Sequence, residues 1–145
     1  MANIEDFLNQ EEQQEIIKAI QKAERNTSGE IRVHIEKSSG KDALNQATKV
    51  FDFLKMDNTR ERNGVLIYVA IDTRDLVILG DIGINDVVPS DFWESTKDAI
   101  ISEFKNGDYK KGLIDGILTA GEQLKSHFPF KKGRGNELPD DISFG

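Results

Sequence analysis

A chain of 145 residues with no cysteine and a formal net charge of −7 is long enough to bury a core without cross-links, and disulfides, thiolate metal sites and cysteine nucleophiles are closed to it. The acidic balance argues against nucleic acid or an anionic membrane surface as main partner, since both are held by clustered positive charge; it suits a cation. Hydrophobic residues make up 37% and charged residues 31%, and the apolar ones gather in periodic segments, so one ordered domain over 1–130 and a polar C-terminal tail over 131–145 are expected.

The N-terminus, MANIEDFLNQEEQQEI, is acidic and amphipathic and lacks the basic start and apolar centre of a signal peptide. No run approaches the length of a membrane span. A cytoplasmic monomer without membrane insertion is therefore expected, and the lack of cysteine fits a reducing compartment. Asn9 and Glu12 form a capping pair for a first helix to about Asn26, with Ile16, Ile17, Ile20 and Ala23 at helical spacing. Thr27, Ser28 and Gly29 break it. Glu30 to Glu36 then alternates as a strand, with Ile31, Val33 and Ile35 on one face and Arg32 and His34 on the other. A second helix follows, its Ala43, Leu44, Ala47, Val50, Phe51 and Leu54 stripe ending near Met56.

Val65 to Ile71 and Leu76 to Leu79 read as a hairpin of buried strands around Asp72, Thr73, Arg74 and Asp75. Those charged turn residues are set apart from any site. The strand, helix, strand order makes the first two strands parallel, so Glu30 starts at the open end of the hairpin. Ser90 is expected to cap a third helix over about Asp91 to Lys105, burying Trp93, Ile100, Ile101 and Phe104. Asp108 caps a fourth helix with Leu113, Ile117, Ala120 and Leu124 on its apolar face. Gly112, Gly116 and Gly121 cost that helix roughly 1 kcal/mol each against alanine, which close packing against a neighbour would explain. The tail carries the basic KKGRG segment, read as solvated, and Leu138, Ile142 and Phe144 as anchors.

The open end of the hairpin collects Thr59, Arg62, Asn63 and Gly64 entering one strand and Gly80, Asp81, Gly83, Asn85 and Asp86 leaving the other. Hard divalent cations take several oxygen ligands, and calcium tolerates the irregular geometry of loops. The candidate ligands are Asp81, Asp86, Glu30, Asp57 and Asn85, with Thr59, Arg62, Asn63, Gly64, Gly80 and Gly83 as supporting loops. The competing reading is structural: Gly80 and Gly83 make a tight turn, while Asp81 and Asp86 cap backbone and pair with Arg62. The spacing matches neither an EF-hand, a Walker loop nor a three-glycine dinucleotide loop, so no nucleotide cofactor is implied. His34 and His127 lie far apart in the chain and read as structural.

The segments TSGEIRV (Thr27 to Val33), TRERNGVLIYVAIDTRD (Thr59 to Asp75), GDIGIND (Gly80 to Asp86) and FKNGDYKKGL (Phe104 to Leu113) occur in the order and spacing of the TPM domain family, which this chain resembles from about Glu11 to Leu124. The resemblance implies an α/β fold: a three-layer, Rossmann-like sandwich with a small mixed sheet of three or four strands and about four helices. It also implies a cation site, with calcium reported for some members, acid phosphatase activity reported for a plant member, and a general role in membrane-protein assembly, turnover or repair. The family's acidic, glycine-rich motif maps onto Gly80, Asp81, Gly83 and Asp86.

Three functions are expected from these residues. The first is binding of a divalent cation, calcium before magnesium. The second is metal-dependent phosphomonoester hydrolysis, with Arg62 clamping phosphate and an aspartate positioning water. The third is an interaction module for an unidentified protein.

Overall fold

The computed structural model describes residues 7–130, 138 and 140–145; the KKGRG segment lies outside them. Helix α1 (Gln10–Glu24) opens with the expected capping box: Asn9 Oδ1 accepts the Glu12 amide at 2.8 Å and Glu12 Oε1 accepts the Asn9 amide at 3.1 Å. Strand β1 (Glu30–Glu36) leads to α2 (Ala43–Phe53), capped by Asp42. This helix ends before the expected Met56 because Lys55 takes a positive φ of 55°, which turns the Met56 side chain into the core. Strands β2 (Gly64–Ala70) and β3 (Asp75–Gly80) form the hairpin. Its Arg74 turn residue has φ 56°.

After β3 the GDIGIND segment, read as an open loop, winds into a one-turn helix α3 (Ile82–Asn85) capped by Asp81. Helix α4 (Glu94–Lys105) starts three residues later than expected. Ser90 does not cap it, because the chain first makes a turn in which Pro89 O accepts the Phe92 amide at 3.1 Å; Trp93 takes the cap position without a side-chain bond. Of the expected stripe, Ile100 is buried, Trp93 and Phe104 are half-buried, and Ile101 is 38% exposed. Helix α5 (Tyr109–Lys125) starts at the expected Asp108 cap. Strand β4 (Ile142–Phe144) closes the chain.

The mixed sheet has the order β3-β2-β1-β4. Strand β1 runs parallel to β2 from Glu30↔Gly64 to Glu36↔Ala70, as the crossover requires, and β2 runs antiparallel to β3. The tail supplies the fourth strand: β4 lies parallel to β1 through Val33↔Ile142 and Ile35↔Phe144. Central β2 is buried along its whole length, which is why its sequence is a continuous apolar run rather than an alternation. One sheet face, with Ile31, Val33, Ile35, Val65 and Ile67, packs into the main core with α1, α4 and α5. The other, with Leu66, Tyr68 and Ala70, packs against Ala47 and Val50 of α2 and against Leu138. The result is three layers. No helix among the described residues is long and apolar enough to cross a membrane.

Candidate metal centre

The sheet register brings the expected segments to one end. Glu30 pairs with Gly64 and Val65 with Gly80; the Asp81 amide donates to Gly64 O at 2.9 Å and the Glu30 amide to Asn63 O at 3.3 Å. Within this mouth the side chains separate into two groups.

Arg62 and Asp81 form the first. Arg62 Nε donates to Asp81 Oδ2 at 2.7 Å and Nη2 to Oδ1 at 3.1 Å, while Oδ1 also accepts the Ile82 amide at 2.8 Å. Both oxygens of Asp81 are thus engaged, in the fork geometry that suits guanidinium and carboxylate. The Asp81 hydrogen bond raises the Arg62 pKa above its ordinary value, and the charges of Asp81 and then Asp57 add to it. Arg62 adopts φ 50°, and its carbonyl accepts the Gly83 amide at 2.9 Å. Asp57, Asn85 and Asp86 lie exposed on the rim: Asn85 Nδ2 donates to Gly80 O at 3.0 Å, and Asp86 ends α3. Thr59 is buried and its Oγ1 accepts the Asn63 amide at 3.2 Å.

Glu30 belongs to the second group. It is 4% exposed, and among the described residues the carboxylates that converge on it are Glu24 and Asp140, with one oxygen from each of the three within 4.8 Å of the others. Three elements place them: Glu24 ends α1, Glu30 starts β1, and Asp140 precedes β4. Glu24 is fixed by the Ile31 amide, which donates to its Oε2 at 2.8 Å. Burial pushes the Glu24 carboxyl up to about 11, helped by the Asp140 hydrogen bond and the Glu30 charge. Among the described residues, Asp140 Oδ1 is buried with no hydrogen-bond partner, and the same holds for Oδ1 of Asn63, whose backbone carbonyl accepts the Glu30 amide.

A buried acceptor without a donor, beside carboxylates crowded enough to retain a proton, fits a cation chemically. Ligand oxygens lie 2.3–2.6 Å from calcium, so opposite oxygens of one shell stand up to about 5 Å apart, and the three-carboxylate spread falls inside that span. Sequence reasoning reached Glu30 but missed Glu24 and Asp140. An acid in the last turn of a helix opposes the helix dipole, which marks Glu24 as unusual; Asp140 carries no local signal.

His34, read as structural, is buried at the far end of β1. Its Nδ1 lies 2.8 Å from Ser143 Oγ and its Nε2 3.1 Å from Glu36 Oε1. Tyr68 and Gln46 also donate to Glu36. Burial opposes ionisation of Glu36, but the bonds from Tyr68, His34 and Gln46 outweigh it and hold its pKa below the usual range. His127 packs edge-on against Phe92 at 5.7 Å between ring centroids.

The family model for the TPM domain matches residues 2–123. The solution NMR structure of the BA42 protein from the psychrophilic bacterium Bizionia argentinensis is similar over 100% of both chains, with 55% identity and a TM-score of 0.92. The N-terminal domain of a protein from P. gingivalis shares the fold at 20% identity, with a TM-score of 0.70 over 88% of this chain and 83% of that one. Among curated proteins none matches.

Proposed function

Since this chain belongs to the TPM domain family, we propose that it binds a divalent cation, calcium before magnesium, at the start of β1, where Glu24, Glu30 and Asp140 meet. The observation that carries this reading is the convergence of three carboxylate oxygens within 4.8 Å. Like charges so close in a half-buried setting repel one another, and a divalent ion relieves that repulsion more fully than one shared proton. The asymmetry of the ligand set favours calcium, which accepts irregular shells, over magnesium, which demands near-octahedral ones. We place the function in the cytoplasm on the cysteine-free composition.

Phosphomonoester hydrolysis has less support, because Arg62, the group suited to clamp a phosphate, is already spent on Asp81. The test is a calcium titration of the cation-free protein followed by amide chemical shifts. Glu24, Ile31 and the residues around Asp140 should move, and Glu30→Gln should abolish the response. Shifts confined to 57–64 and 80–86 that survive Glu30→Gln would move the ion to the Asp81 loops and overturn this placement. An unchanged spectrum at millimolar calcium overturns cation binding itself.

A further inference from the structure

At the closed end of the β2–β3 hairpin, the end of the sheet away from the carboxylates, a hollow of about 800 Å³ opens between the hairpin and α4. Its origin is visible in the α4 sequence. Thr96 and Ile100 take the buried side of that helix, and Lys97, Ile101, Phe104 and Lys105, spaced as neighbours on an adjoining face, line the hollow instead. Ile71 and Leu76 line it from the hairpin, and Arg74 stands at its turn. Ile101 is 38% exposed, an apolar side chain left facing an open cavity.

The charge here runs against that of the whole chain. Three cations, Arg74, Lys97 and Lys105, line the hollow with one carboxylate, Asp75, which already accepts a hydrogen bond from Ser39 Oγ. None of the three cations makes an ion pair among the described residues. A locally positive hollow in a chain of net charge −7 concentrates anions, and its apolar floor selects those with an apolar part. The volume lies within the roughly 300–1,000 Å³ usual for small-molecule sites.

We propose that this hollow binds a small amphipathic anion, a carboxylate on a medium-length alkyl chain, with the head among Lys97, Lys105 and Arg74 and the chain on Ile101 and Phe104. A purely polar anion would leave the apolar floor uncovered. An alkyl cation of the same length would meet three like charges.

The experiment titrates decanoate, below its micelle concentration, into the full chain and follows amide shifts. Saturable shifts at 69–76 and 97–109 are expected, weakening as salt is added. Decylammonium should leave those residues unmoved. Lys97→Glu with Lys105→Glu should weaken decanoate binding about tenfold or more, as expected for reversing two charges that face the ligand; if that pair disturbs the spectrum of the free protein, Lys97→Gln with Lys105→Gln should weaken it about threefold or more. Absent shifts, shifts centred elsewhere, equal binding of decylammonium, or undiminished affinity in a folded double variant would each overturn the assignment.

Discussion

Glu24 sits where a carboxylate is least welcome, in the last turn of α1 and beside two other acids. Its folded pKa of about 11 stands above the ordinary 4.5, so the folded state keeps a proton that the unfolded chain gives up. The stability tied to that proton is fully present below pH 4.5 and is lost as pH rises toward 11. In cation-free protein the melting temperature should therefore fall across that window, and Glu24→Gln, which mimics the protonated acid, should flatten the slope in thermal melts. A cation bound there as proposed would displace the same proton. Calcium binding at pH 7 should release close to one proton per ion, read by calorimetry in two buffers of different ionisation enthalpy; an enthalpy independent of buffer would contradict it. Arg62→Met tests the neighbouring pair. It leaves the Asp81 carboxylate, 5% exposed, without its guanidinium, and should lower the midpoint of denaturant melts, by less than a fully buried pair would because the arginine is solvent-screened.

Among the elements, α3 shows how a loop became a helix. Asp81 accepts the Ile82 amide and holds Arg62, and Gly83 lets the helix rest on the 61–62 backbone. A Cβ on Gly83 would stand 2.0 Å from Glu61 O and 2.6 Å from Arg62 O, and backbone on both sides cannot yield as a side chain would. Gly83→Ala should cost about 2–4 kcal/mol and shift the amides of 61–64 in the same spectra. The three glycines of α5 follow a gentler version of this logic: Gly116 admits Ile100, whose Cδ1 lies 2.4 Å from where a Cβ would stand, and Gly121 admits Ala23. That role was legible in the sequence, since glycine spaced along an apolar helix face has few other uses. The α3 turn was legible as the structural alternative for the motif, with Asp81 capping backbone and pairing with Arg62.

Across the whole molecule, the C-terminal segment joins the sheet and the carboxylate centre in one stroke. Ile142 to Phe144 pair with β1, Leu138 packs under α2, and Asp140 lies between them against Glu24 and Glu30. The segment lies beyond the part of the chain matched by the family model. Calcium bound as proposed would stabilise the intact chain by about 2.7 kcal/mol at a hundred times the dissociation constant, and removing 138–145, or replacing Asp140 by Asn where truncation unsettles the fold, should remove most of that gain. Calorimetric melting with and without calcium reads the difference.

The sequence by itself determined most of the elements: apolar periodicity located α1, α2, α5, β1 and the hairpin, and the crossover rule made β1 and β2 parallel. It also determined that oxygen-rich loops gather at the start of β1, because strand direction alone dictates which ends meet. Only the tertiary structure decided which carboxylates touch. Glu24 and Asp140 stand far from one another in the chain, and no local pattern relates them; their meeting depends on the tail entering the sheet beside β1. It also decided between the two readings of Asp81, cation ligand or partner of Arg62, because where its two oxygens end in space is not specified by spacing along a sequence.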